Sequence, residues 1–295
     1  MKVEDLRATA YFAGWRIVRW LPEKRAYRLF EIIADRATAK NGKSFQRLEN
    51  NLKRVKPELT ASELQSLAKA GMRSYLRYWC DTFRSPDWSA NRIQSTVTVN
   101  EPELLLEPVR NKRGVVVALP HAGNWDHAGS YFCSQGIPLV TVVERLKPEK
   151  LFRKFLEYRQ AIGMEALPLD GRVMGTLASR LREGKLVALI ADRDLSRSGI
   201  DVKFFDGTAR MPAGPALLAI RTGSDLITAY VSYTKTGIHI DFRKVIIASG
   251  ETESEKVSKT VQLCADNFAA GISEHPQDWH MLQRIWVDGD FVERS

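Results

Sequence analysis

A chain of 295 residues with 44% apolar and 27% charged side chains can bury a real core, which excludes a largely disordered protein. The net charge of +9 is concentrated at one end: residues 1–56 hold 14 Lys and Arg against 6 acids, the remainder 30 against 29, so the basic segment wants an anionic partner, a phospholipid surface or nucleic acid. No apolar run of about 18 residues exists, which excludes a transmembrane helix, and the charged first ten residues lead into no apolar stretch of a secretory leader, so a cytoplasmic protein is expected.

Residues 6–37 read as helical and split at Pro22, with the proline in the first turn of the second helix. Trp15, Trp20, Leu29, Phe30 and Ile33 interleave with Arg16, Arg19, Arg25 and Arg28. That mixture suits a membrane interface, where indole sits at headgroup depth and guanidinium meets phosphate. It is also compatible with a helical pair packed on the main domain with solvated arginines. Helices continue through Phe45–Val55 and Ala61–Phe83, the second opened by Thr60 or Ser62 with Glu63 close behind. The scattered Cys80, Cys133 and Cys264 have no metal-ligand spacing and read as reduced structural thiols, so no metal is expected.

After about residue 95 the pattern becomes α/β. Strands are predicted at Thr96–Val99, Val115–Leu119, Leu139–Val143, Leu186–Ile190, Leu226–Val231 and Ile238–Phe242. Helices are predicted at Glu101–Val109, Asp126–Cys133, Pro148–Ala161, Val173–Arg182, Ala213–Thr222 and Glu253–Glu274. The expected fold is a mostly parallel central sheet flanked by helices on both faces, with the helical N-terminal third packed on it. One domain is expected over 1–295, its basic portion 1–90 facing a membrane and its α/β portion 91–295 carrying the chemistry.

The chemistry is expected around Pro120-His121-Ala-Gly-Asn-Trp-Asp126. A buried strand ends at Pro120 and a helix begins near Asn124, so His121 sits where open α/β sheets place ligands. Across such a turn Asp126 can fold back onto the imidazole. A neutral His can then take a proton from an attacking hydroxyl, while the carboxylate fixes its tautomer. Gly123 leaves room for close approach. Backbone N–H groups at the helix start can hold an oxyanion or phosphate, which makes Asn124 a candidate substrate contact. The alternative is a capping Asp beside a loop His. Glu144 and Asp192 also follow strands, so three strand ends bring His121, Glu144 and Asp192 to one edge of the sheet. Glu144 alternatively pairs with Arg145 or Lys147. Arg193, Arg197 and Arg210 are candidate phosphate ligands, each otherwise a surface or structural arginine. His127 and His280 read as structural.

His121-Ala-Gly-Asn-Trp-Asp126 resembles the signature of the lysophospholipid acyltransferase superfamily, in the branch of bacterial lipid A acyltransferases. With Val143-Glu-Arg-Leu-Lys-Pro-Glu149, Phe155-Leu-Glu-Tyr-Arg159, Ala191-Asp-Arg-Asp194, Arg210-Met-Pro-Ala-Gly-Pro215 and Asp278-Trp-His-Met-Leu-Gln283, the chain resembles the actinobacterial phosphatidylinositol mannoside acyltransferases more closely than the lipid A enzymes, from about Gly14 to Trp286. The resemblance implies a long-chain acyl-CoA donor, palmitoyl first, and no further cofactor. It implies a mannose hydroxyl of a phosphatidylinositol mannoside as acceptor and work at the cytoplasmic face of the membrane. It makes His121 the base and Asp126 its partner, and Glu144 and Arg159 further polar site residues. One departure stands out: Asp192 occupies a position where the family usually has Glu. The lost methylene requires a closer backbone or a bridging water.

The alternatives are a lipid A-type or other lysolipid acyltransferase, a thioesterase using the same base, and a non-catalytic membrane- or nucleic-acid-binding protein. The mixing of Trp and Leu with Arg argues against nucleic acid, whose binders spread cations over a groove-sized face.

Overall fold

The computed structural model describes residues 13–145, 148–196 and 198–288. Helix α1 covers 13–20 and stops before Pro22, which has no N–H to continue it. Pro22 takes the cap position of α2 (Glu23–Ala39), one step outside the expected first turn. Helices α3 (Lys43–Val55) and α4 (Ala61–Arg84) complete the helical N-terminal layer. A reciprocal capping box opens α4: the Glu63 N–H donates to the Thr60 hydroxyl, and the Thr60 N–H donates to the Glu63 carboxylate.

The remainder alternates as expected, with α5 (Ala90–Ser95), α6 (Glu103–Arg110), α7 (Trp125–Ser134), α8 (Glu149–Ala161), α9 (Val173–Arg182), α10 (Gly214–Thr222) and α11 (Glu253–Glu274). The strands are β1 (Val97–Asn100), β2 (Val115–Leu119), β3 (Leu139–Val143), β4 (Glu165–Pro168), β5 (Leu186–Ile190), β6 (Ile200–Phe204), β7 (Gly207–Met211), β8 (Asp225–Tyr233) and β9 (Ile238–Val245). Seven form one sheet in the order β1-β9-β8-β2-β5-β3-β4. Only β8 and β9 pair antiparallel within it, so the sheet is mostly parallel. Strand β4 and the β6–β7 hairpin were not expected. Glu165-Ala-Leu-Pro is short and ends in proline, and the hairpin strands carry the charges of Asp201, Lys203 and Arg210, which masks their apolar alternation.

Every residue of β2 is buried, as a central parallel strand requires. Val116 and Ala118 face the core under α9, α10 and α11, whereas Val115, Val117 and Leu119 face the core under α6 and α7. The sheet is thus covered on both sides. No helix among the described residues is long and apolar enough to cross a membrane.

Helix α4 supplies Ser74, Tyr78 and Asp81 to the interior, so its integrity bears on everything below. Thr60→Ala should lower stability by about 1 kcal/mol in thermal or denaturant unfolding, while leaving the folded site intact.

Candidate active site

Strand β2 delivers His121 through a tight turn. The Ala122 N–H returns to the Pro120 carbonyl at 2.7 Å, and Gly123 adopts φ +55°, where a Cβ would come within 2.4 Å of the Val231 carbonyl oxygen. Only glycine fits both constraints. The imidazole keeps 32% of its surface exposed, at the end of a strand that is otherwise sealed.

Its partner is Asp192, and this corrects the expected pairing with Asp126. Strands β2 and β5 are neighbours in register, so Asp192, just beyond β5, arrives beside His121. His121 Nδ1 lies 2.6 Å from Asp192 Oδ1, and the His121 backbone N–H donates to Oδ2 at 3.0 Å. The Trp279 indole N–H donates to the same Oδ2 at 3.0 Å. The backbone therefore comes to the shorter carboxylate, and the bond to the ring is direct. Asp192 is fully buried. Burial pushes its carboxyl up, but the His121 ring, the Trp279 indole and the His121 N–H outweigh burial and hold it below the ordinary aspartate value.

Asp126 serves a different contact. One oxygen accepts from Arg159 Nε at 2.9 Å, the other from the Tyr78 hydroxyl at 3.0 Å. Both carboxylate and guanidinium are largely enclosed, with side-chain exposures of 2% and 15%. Burial alone would depress Arg159, and Asp126 with Tyr78 more than compensates, so its pKa is raised and its charge secure. Tyr78 stacks on Trp125 at 4.2 Å, and Trp125 meets the His121 ring edge-on at 5.7 Å.

The other expected residues are distributed unevenly. Asn124 is buried and committed: its oxygen caps the His127 N–H at 2.9 Å, and its amide donates to Asp81 at 3.3 Å. It belongs to the scaffold. Of the N–H groups near the helix start, those of His127 and Gly123 are likewise taken, the latter by the Asp278 carbonyl. Glu144 follows β3 and is exposed, with β5 lying between its strand and that of His121. Arg145 turns to Glu149. Arg210 is paired across the hairpin with Asp201 at 2.6 Å. Arg193 is half-buried just beyond Asp192. Arg197 and Lys147 lie outside the described residues. No cluster of metal-ligating side chains occurs among the described residues.

The side chains that spacing could not reveal are Tyr78, Trp125, Asp278 and Trp279. Residues 278–280 cross the loop after β2: the His280 N–H donates to the His121 carbonyl at 2.7 Å, and Ala122 bridges Trp279. No periodicity links that segment to His121.

Beside this cluster an apolar slot runs between α7 and the sheet. Leu119, Trp125, Asp126 and Arg159 line it near the strand ends. Val117, Ala188, Phe132 and Phe242 line it further along. Its free volume is about 70 Å³, a narrow slot rather than an open chamber.

A family model described as bacterial lipid A biosynthesis acyltransferase matches residues 2–287. A phosphatidylinositol mannoside acyltransferase of Mycolicibacterium smegmatis is 42% identical over 289 residues, covering 97% of this chain and 92% of the relative. Enzymes of the same name from two strains of Mycobacterium tuberculosis are each 38% identical over 283 residues, covering 94% of this chain and 88% of the relative.

Two buried histidines near the site give a stability test. Burial pushes His127 down to about 4 and His280 to about 3, so both are neutral in the fold. As pH falls below the ordinary value of 6.5, the unfolded chain gains protons that the fold refuses. The stability contribution is complete above that value and lost towards the folded ones. For each His the slope is about 1.4 kcal/mol per pH unit. His127→Gln should flatten the decline between pH 6.5 and about 4 by roughly that slope in denaturant titrations across pH.

Proposed function

The chain belongs to the bacterial lipid A biosynthesis acyltransferase family, and from that premise we propose that it moves a long-chain acyl group from acyl-CoA onto a mannose hydroxyl of a phosphatidylinositol mannoside. Acyl transfer itself follows from the family. The acceptor rests on the relatives at 38–42% identity, and palmitoyl is the first donor to try. The observation that carries the reading is a part-exposed imidazole tethered through Nδ1 beside an apolar slot.

In this mechanism Nδ1–H donates to Asp192, which leaves the lone pair on Nε2. Nε2 takes the proton of the sugar hydroxyl as its oxygen attacks the thioester carbonyl carbon. The tetrahedral intermediate collapses, the C–S bond breaks, and the imidazolium returns its proton to the thiolate. No covalent enzyme intermediate is needed, because the acceptor is the nucleophile. Asp126 holds Arg159 against the slot, where the guanidinium can meet anionic or polar groups of the donor.

A peripheral position on the anionic cytoplasmic leaflet fits the outer face of α1 and α2. There Trp20 is 85% and Ile17 59% exposed, beside Leu29, Ile32, Ile33 and the exposed Arg16, Arg25 and Arg28.

Two experiments test this reading. Mass spectrometry of lipids after incubation with palmitoyl-CoA and purified phosphatidylinositol mannoside should show the acylated product; hydrolysis alone, unchanged by acceptor, would make it a thioesterase. His121→Ala should abolish transfer in a folded protein, and Asp192→Asn should lower kcat by a factor on the order of 10²–10⁴. Near-normal transfer by His121→Ala would end the base assignment. For the slot, Ala188 lies level with Val117 in the sheet, below the strand ends. Ala188→Leu should shift donor preference to shorter chains in a competition assay. In the native protein neighbouring lengths should both react, since a methylene contributes only about 0.8 kcal/mol.

A further inference from the structure

We propose that Trp279 is a positioning residue of the transfer reaction, holding the Asp192 carboxylate against the His121 ring through its indole N–H; this rests on His121 being the base. The indole is fully buried, and its Nε1 lies 3.0 Å from Asp192 Oδ2. Among the described residues, three donors reach Asp192. Oδ1 serves the ring at 2.6 Å, while Oδ2 is shared by the His121 backbone N–H and the indole. Remove the indole and the buried carboxylate keeps one fixed donor besides the very ring it has to orient. A bond from a neutral donor to a buried carboxylate is charge-assisted, and in a dry site its loss falls on the remaining contacts.

The indole is itself held in place. Its ring packs against Phe204 at 6.0 Å, and its backbone bridges Ala122. On either side, the Asp278 carbonyl accepts the Gly123 N–H at 2.8 Å, and the His280 N–H reaches the His121 carbonyl at 2.7 Å. Asp278 is anchored in turn: its carboxylate accepts from the Ser74 hydroxyl at 2.6 Å and from the Tyr233 N–H at 2.9 Å. Residues 278–280 therefore form a strap tied to α4 and β8, which fixes both the loop carrying His121 and the carboxylate behind it. Packing alone would be served by any large ring at 279. The choice of one with an N–H aimed at Asp192 is what the reaction would use.

The test is Trp279→Phe in the full-length protein, assayed for acyl transfer across pH. The buried carboxylate becomes more basic without the indole, so the His121–Asp192 pair takes up a proton at higher pH. We expect kcat to fall roughly tenfold, KM for the acyl donor to stay within about twofold, and the acid limb of the kcat profile to move upward. In an Asp192→Asn background the same change should have little further effect on kcat, because the indole acts through that carboxylate. An unmoved acid limb, or an undiminished effect in the Asp192→Asn background, overturns the proposal. If Trp279→Phe does not fold, site-specific 3-benzothienylalanine replaces it, keeping the bicyclic ring and exchanging only N–H for sulfur. Should His121→Ala or Asp192→Asn retain near-normal transfer, the base assignment fails instead, which separates the two failures.

Discussion

A buried carboxylate that must keep its charge beside one imidazole is the constraint on which this structure depends. Asp192 has no access to water, so its ionised form survives only because three donors converge on it: the His121 ring, the His121 N–H and the Trp279 indole. Two of these donors belong to His121 at the end of β2, and the third is a side chain beyond the last long helix. The adjacency of β2 and β5 is thereby converted from a matter of sheet order into a defined ring orientation.

A second buried charge, in the first turn of α7, has the opposite solution. Asp126 is neutralised by Arg159 and steadied by Tyr78, which ties α7 to α8 and to α4. Because Tyr78 also stacks on Trp125, the N-terminal helical layer forms part of the wall around the imidazole. Asp126 was expected beside the histidine, and Asp192 stands there instead. Asp192 orients the histidine; Asp126 holds a cation beside the apolar slot.

Much of this was legible in the sequence because strand interiors are short, apolar and bounded. β2, β3 and β5 and most helices fell where periodicity placed them, and the turn Pro120–Asp126 was visible as a strand end meeting a helix start. The two carboxylates after strand ends, Glu144 and Asp192, were legible for the same reason. Their pairing was not. Strand order is set by packing of whole elements, so nothing in the interval between His121 and Asp192 says that β5 lies next to β2 while β3 lies one strand further out. Proximity in sequence favoured Asp126, yet the turn carries that carboxylate away from the ring and towards Arg159. Asn124 stood at a helix start that suggested a ligand contact, whereas its side chain is consumed by capping α7 and meeting Asp81. The hairpin strands β6 and β7 were hidden by charges on their outer face.

The crossing of the His121 loop by residues 278–280 has a consequence for how the molecule comes into being. Translation delivers the histidine and both aspartates long before it delivers the strap that fixes them. Earlier segments can fold as they leave the ribosome, but such an intermediate would carry all the reactive groups without their geometry. Until the late segment docks, the loop carrying His121 lacks the backbone bonds at Gly123 and at the His121 carbonyl, and Asp192 lacks the indole donor.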